Sequence, residues 1–394
     1  MSGSSTDIPG NFSTIAPTAG RPPATEASII ASATFNTIVM VLTVVGNSLV
    51  CFSVYYFPRL RRPTNFLIVS LAVSDLLVGL MSLPFRIAQT VNHEIWPESL
   101  GRAGCQYWIW IDMLCCGASI LNLTGISFDR LLAVKWPLTY RENMTTRRAT
   151  LVIVVVWVFA LIVASLSFVK WGGIEPIFIA PQCSIIAKIY ITILACAAFF
   201  FPLAVLIFNY ALVLKIAISH ARRMQRDRDA IAVNFMPELD ANEETSGIAS
   251  SPGSSTRAIS ISKRSCEPLT DPKPRRSSGL QIMKQLKATK TLAIVVGVFI
   301  LSWFPFFVIF LTFQYCKDCF STDIIPPHVK TVLIIVFVYV LPVSNSAANP
   351  IIYTCFNKEF RTAFLRVLYK ISRKSDSKFL SKSNGYTDTY SSHM

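Results

Sequence analysis

Residues 105–134 read CQYWIWIDMLCCGASILNLTGISFDRLLAV. The run is long enough, at 1.5 Å per residue, to cross roughly 30 Å of hydrocarbon, yet it carries Asp112, Asp129 and Arg130. An ionised side chain inside a membrane span is costly, so it faces a bundle interior or a water-filled cavity. Asp112 and Arg130 are 18 residues apart, or five turns, and so share one helix face with roughly 27 Å between them. Asp112 lies about two turns, roughly 10 Å, below Cys105, while Asp129 and Arg130 close the opposite end.

Working outward from this stretch, six more apolar runs of similar length appear. The seven centre on residues 33–57, 65–88, 105–134, 149–169, 186–216, 287–313 and 328–354. The whole chain agrees with them: of 394 residues 52% are hydrophobic and only 15% charged, with a mean hydropathy of +0.49. The reading is an all-α membrane protein, a seven-transmembrane helix bundle with a short amphipathic eighth helix. Its segments are a flexible tail over 1–30, helices one to five over 31–217, and a polar connection over 218–284. Helices six and seven follow over 285–355, then the surface helix over 356–370 and a tail over 371–394.

The first 30 residues lack a basic start followed by an apolar core, so the first span is expected to act as its own targeting signal. That opening is rich in Ser, Thr, Pro, Ala and Gly and holds the sequon Asn11-Phe12-Ser13, a glycosylation candidate. Arg59, Arg61, Arg62, Lys135, Arg141, Arg147, Arg148, Lys358, Arg361, Arg366, Lys370, Arg373 and Lys374 gather on one set of connections, and the other set is poor in such residues, holding Arg102 and Lys170 between spans. The basic side is expected to be cytoplasmic, which puts the amino terminus outside and the carboxyl terminus inside at the plasma membrane. The net charge of +15 is then a matter of topology and anionic lipid, and no nucleic acid partner is needed. Segment 218–284 is polar, Ser/Pro-rich and aperiodic and reads as disordered. Basic residues precede its Ser260, Ser277 and Ser278, a pattern that suits kinases and also arises by chance.

Topology sorts the ten cysteines. Cys105 and Cys183 both fall on the outer side and can pair, and Cys316 and Cys319 could close a small ring in CKDC. A lone CxxC is weak as a zinc site. Cys51, Cys115, Cys116, Cys196, Cys266 and Cys355 read as packed or unreactive thiols.

Further polar groups lie inside the spans: Asn47 in VVGNSLV, Asp75 in SLAVSDLLVGL, Ser119 in the third span, and Asn345, Ser346 and Asn349 in LPVSNSAANPIIY. They either hold helices together by hydrogen bonds or form working sites. Asp112, with no basic residue read in a neighbouring span, lacks a fixed partner and is expected to receive a cation from solution.

The landmarks GNSLV at Asn47, LAVSDLL at Asp75, Cys105, Asp129-Arg130, Trp157, Cys183, Pro202 with Tyr210, SWFPFF around Trp303 and Pro305, and NPIIY at 349–353 occur in order. Together they resemble the rhodopsin-like G-protein-coupled receptors across all seven spans, with FNKEFRTAFLRVL after Tyr353 matching the surface helix. In that family Asp112 falls where biogenic amine receptors pair an acid with the ligand ammonium, and Phe306 and Phe307 match the aromatic pair lining that pocket. The resemblance extends the pocket to Met113, Cys116, Ile185, Phe199, Trp303 and Phe310. The chain departs from the catecholamine pattern in span five, where Leu194, Ala195 and Ala198 stand in place of serines. It departs again in span seven, where Val343 replaces both the tyrosine that supports the acid and the lysine an opsin needs. Tyr339 is close by, and whether it substitutes is left open.

The resemblance also assigns a sodium pocket to Asp75, Ser119, Asn345, Ser346 and Asn349, a donor set of the kind a small hard cation takes; no other cofactor is implied. Ile120, Pro202 and Phe299 match a packing switch. Arg130 is expected to pair with Asp129 at rest and, on release, to meet Tyr210 and Tyr353 beside Asn349-Pro350. Leu138 matches an apolar plug for the G protein. Gln285, beside Lys284 and Lys287, replaces the acid that restrains the Arg in many relatives, so ligand-independent signalling is expected. The function implied is a receptor that binds a protonated, non-catechol amine and activates a heterotrimeric G protein, with receptor kinases, arrestin and membrane lipid as further partners. A receptor for a lipid, peptide or other non-amine ligand, or one that acts largely through constitutive activity, stays open; a transporter is less expected, since seven spans without internal similarity do not offer inverted repeats. No nucleophile and base arrangement or phosphate loop stands out, so the chain is not read as an enzyme.

Overall fold

The computed structural model describes residues 25–136, 139–173, 177–178, 183–243, 275–316, 318–320 and 325–370. Among them seven helices are long and apolar enough to cross a membrane. They are α1 (Glu26–Tyr56), α2 (Pro63–Val91), α3 (Glu98–Lys135), α4 (Thr146–Phe168), α5 (188–243), α6 (Arg275–Tyr315) and α7 (Pro327–Phe356). A further helix, α8 (358–370), follows Asn357, and it seats Phe360, Ala363, Phe364 and Val367 inward at helical spacing. A two-stranded hairpin, β1 (Ile177–Phe178) and β2 (Ser184–Ile185), sits between α4 and α5.

The burial pattern suits lipid on the outside. Leu42, Val45, Leu151, Val154 and Phe208 are exposed, while Asn47, Asp75, Asn122, Asn209 and Asn349 are buried. Several of the polar groups turned inward find partners on neighbouring helices. Asn47 Nδ2 donates to the Ser346 carbonyl at 3.0 Å, joining α1 to α7. Trp157 Nε1 donates to Ser70 Oγ at 3.0 Å, joining α4 to α2, and Asn209 Nδ2 donates to Ser127 Oγ at 3.0 Å, joining α5 to α3. Helix α3 packs against α2, α4 and α5 at once, which carries its charged face through the middle of the bundle.

Three helices open into a wide π turn: Val78–Ser82 in α2, Leu194–Phe200 in α5 and Ile335–Val340 in α7. Each lies just before a proline, Pro84, Pro202 and Pro342. A proline ring has no N–H to give and crowds the carbonyl four residues back. Those carbonyls belong to Leu80, Ala198 and Val338, each inside a π turn, so the extra residue makes room for the ring.

Three expected boundaries move. Helix α1 starts at Glu26, inside the segment read as tail. The polar connection over 218–284 was expected to be disordered, but α5 runs on to Glu243 and α6 starts at Arg275, leaving 244–274 outside the described residues. Extending an existing helix adds a hydrogen bond per residue without a new nucleus, so Ala-, Arg- and Met-containing sequence continues it readily. The surface helix begins at 358, because Asn357 is extended and its side chain caps the new start by accepting from Glu359 N at 3.0 Å. Asn11, Leu138, Ser260 and the tail over 371–394 lie outside the described residues.

Candidate functional site

A cavity of about 240 Å³ opens at the Cys105 end of the bundle. That is small beside the roughly 300–1,000 Å³ of drug-sized sites. Its wall is built by α2, α3, α6, α7 and the β2 strand, with Asp112 and Met113 on one side and Trp303, Phe306 and Phe310 across from them. Two disulfides, Cys105–Cys183 and Cys316–Cys319, tie the connections at this end, and the first holds Ile185 against the cavity.

Asp112 is half-buried. Ser82 Oγ donates to its Oδ1 at 2.7 Å, and Trp108 Nε1 donates to the same Ser82 oxygen at 3.2 Å. An indole nitrogen can only donate, so the serine proton is directed at the carboxylate. The chain of donors fixes the acid and leaves its second oxygen available. Phe306 stacks on Phe310 at 5.6 Å between ring centroids and meets Trp303 edge-on at 5.4 Å, an aromatic wall suited to a cation or a ring.

The residues read from sequence divide into two groups. Asp112, Met113, Cys116, Ile185, Trp303, Phe306, Phe310, Tyr339 and Val343 line the cavity. Leu194, Ala195, Ala198, Phe199 and Phe307, expected on the α5 side of the pocket, lie outside the lining of this cavity. Phe199 and Phe307 stack at 4.3 Å and close the gap between α5 and α6. Ala195 joins the same core, while Leu194 and Ala198 pack with Val163.

One correction concerns charge. Arg86, inside the second apolar run, lines the same cavity as Asp112. Its guanidinium lies over the Tyr339 ring, 4.5 Å from the centroid. Among the described residues no ion pair joins it to Asp112 or to Glu94, which also lines the cavity. Sequence reasoning missed Ser82, Arg86, Gln89 and Glu94; Pro84, beside the π turn that ends at Ser82, was the available signal.

The floor of the cavity reaches Ser119, Asn345 and Ser346. Beneath it Asn349 Nδ2 donates to Asp75 Oδ2 at 2.8 Å, and Asp75 Oδ1 is buried without a partner. A fully buried carboxylate oxygen beside hydroxyl and amide groups is a fit donor set for a small hard cation, with Asp75 as its charged member. Ser119 is turned to Ser74, oxygen to oxygen at 3.0 Å. Phe299 packs 6.3 Å from both Phe199 and Trp303, with Ile120 in the same core, and Thr124 Oγ1 donates to the Pro202 carbonyl at 3.3 Å.

At the other end Arg130 is paired with Asp129, Nε to Oδ2 at 3.0 Å, and both are buried. Thr64 and Tyr140 complete the arrangement. Thr64 Oγ1 is 2.9 Å from Asp129 Oδ2 and accepts from Arg130 at 2.7 Å, while Tyr140 donates to Asp129 Oδ1 at 2.5 Å. Burial, reinforced by the Asp129 charge, pushes the Tyr140 phenol up to about 12, so it remains a donor throughout the physiological range. The hydroxyls of Tyr210 and Tyr353 are buried and unpartnered, a closed arrangement in which neither hydrogen-bonds to Arg130.

The family model described as "7 transmembrane receptor (rhodopsin family)" matches residues 46–353. The chain is similar to the probable G-protein coupled receptor No18 of Amphibalanus amphitrite, 32% identical over 84% of this chain and 87% of that protein. It is also similar to the human 5-hydroxytryptamine receptor 1B, 33% identical over 84% of each chain. With the human alpha-1D adrenergic receptor it shares 33% identity over 84% of this chain, a match spanning about half, 54%, of that relative's length.

Proposed function

The chain belongs to the rhodopsin family of seven-transmembrane receptors, multi-pass membrane proteins that are not enzymes, and from that premise we propose that it responds to a small protonated amine. The observation that carries the reading is Asp112, a carboxylate fixed by Ser82 and turned into a small cavity facing an aromatic wall. The likeness to receptors named for adrenergic ligands and 5-hydroxytryptamine supports the same class. A non-catechol ring is favoured, since Leu194, Ala195 and Ala198 offer no hydroxyl and are packed away from the cavity. The two disulfides at the Cys105 end suit an oxidising compartment, which supports an amino terminus outside and a cavity that opens outward.

The mechanism is a population shift. The Arg130, Asp129, Thr64 and Tyr140 arrangement holds the inner end closed. An agonist that prefers the opened form releases it, Arg130 turns toward Tyr210 and Tyr353, and a heterotrimeric G protein takes the groove, reciprocally tightening the agonist. A sodium ion at Asp75, with Asn349, Asn345, Ser346 and Ser119 around it, would hold the resting form. Receptor kinases and arrestin are expected to act on the opened form, and anionic lipid to meet the basic face of α8.

The test is Asp112→Asn, which keeps the shape and removes the charge. With surface expression matched, the half-maximal amine concentration is expected to rise at least a hundredfold in a second-messenger assay. An unchanged response would point to a non-amine ligand.

A further inference from the structure

Resting on the amine reading, the geometry points to a ligand that carries a carboxylate as well as an ammonium: we propose that this receptor senses an amino acid or similar zwitterion, with Arg86 as its anion-binding residue. Arg86 and Asp112 line one small cavity with opposite charges and do not pair. Each is kept by its own neighbour, Asp112 by Ser82 and Arg86 by the Tyr339 ring. Ser82 and Arg86 are four residues apart on α2, a rise of about 6 Å, so the fixed cation sits about one turn nearer the outer mouth than the fixed acid.

A guanidinium is charged at every relevant pH and presents a planar fork matched to two carboxylate oxygens. The ring face of Tyr339 steadies it without consuming those in-plane N–H donors. Arg86 is the only Lys or Arg among the described residues lining the cavity. A ligand with a bare ammonium would satisfy Asp112 and at the same time set its charge against Arg86 in a partly dehydrated space. A zwitterion answers both groups, its ammonium at Asp112 and its carboxylate outward at Arg86. Glu94 on the same wall would disfavour a ligand with a second carboxylate, which leaves the monocarboxylate amino acids.

The experiment compares matched pairs that differ by one carboxylate: phenylalanine with 2-phenylethylamine, tryptophan with tryptamine, histidine with histamine, and γ-aminobutyrate with propylamine. Each is tested on the full-length receptor, on Arg86→Gln and on Asp112→Asn. For at least one pair the carboxylate-bearing member is expected to act at a tenfold lower concentration on the unaltered receptor. Arg86→Gln should weaken that member at least tenfold while leaving the plain amine unchanged or stronger. The ranking on the unaltered receptor needs no variant, so poor folding of Arg86→Gln does not shelter the proposal. If plain amines act through Asp112 but outrank their carboxylated partners in every pair, and Arg86→Gln leaves the ratio unchanged, this inference fails and the amine reading survives. If Asp112→Asn responds like the unaltered receptor, or no pair elicits a response, both fail.

Discussion

Ser82 and Asp112, on different helices, are joined by a 2.7 Å hydrogen bond whose direction is set by Trp108. Hydrogen bonds to charged groups contribute about 1.5–3 kcal/mol. Ser82→Ala therefore leaves the charge in place and frees its orientation. Agonist affinity is expected to fall about tenfold, each 1.4 kcal/mol being a factor of ten. Competition binding on matched membranes checks this, and an affinity equal to that of the unaltered receptor would mean Ser82 does not position the acid.

Tyr140 and Thr64 should restrain signalling in the absence of ligand. Tyr140→Phe removes one donor to Asp129 and Thr64→Ala removes the hydroxyl that bridges Asp129 and Arg130. Neither residue touches the cavity, so basal second-messenger output should rise, roughly two- to fivefold for about 0.5–1 kcal/mol of lost restraint, with ligand affinity rising alongside. Conversely, Gln285→Glu, which restores the acid that the family resemblance expects at this position, should lower basal output. Basal signal that stays flat in the first two variants would show that the closed end is held by other contacts.

Much of this was legible in the sequence, and the rest was hidden for identifiable reasons. Seven long apolar runs fix seven spans because hydrocarbon thickness sets helix length. Asp112, Asp129 and Arg130 were visible because charges are conspicuous there. Arg86 was overlooked because it sits near the outer end of its span, where a long basic side chain usually reaches water. Its placement depends on the π turn before Pro84, which shifts the register of everything beyond it. In α5, Leu194, Ala195 and Ala198 are packed in buried clusters, a matter of tertiary contact that the sequence pattern does not announce. Thr64 and Tyr140 are ordinary polar residues in connecting sequence, and only packing brings them to Asp129. The helical extensions to Glu243 and from Arg275 were missed because a polar composition reads as disorder when taken apart from the helix it continues.

Sodium should weaken agonist binding. Asp75 Oδ1 is an unmet acceptor in a structure whose Arg130 is closed on Asp129, so a cation entering there favours the closed form. By linkage it must then oppose a ligand that prefers the open one. Raising sodium from zero to about 0.15 M, with the ionic strength held by a bulky organic cation, should lower agonist affinity several-fold. Asp75→Asn should remove the dependence. A sodium effect that persists in Asp75→Asn would place the ion elsewhere.

Gly46 should tolerate no side chain. A Cβ built there would lie 2.8 Å from both Cβ and Cγ of Pro350, where α1 crosses α7. The proline ring is rigid and cannot swing aside as a long side chain could, so the two helices must part, and with them the Asn47 to Ser346 bond close by. Overpacking of this kind costs about 1–3 kcal/mol. Gly297 in α6 supplies the contrast, because a methyl group added there would meet nothing within 4 Å, and alanine is the better helix former by about 1 kcal/mol. In detergent, thermal unfolding of Gly46→Ala should shift down by several degrees, with reduced surface expression, while Gly297→Ala should hold or gain. Equal behaviour of the two would mean that close approach of α1 to Pro350 is not what glycine serves at position 46.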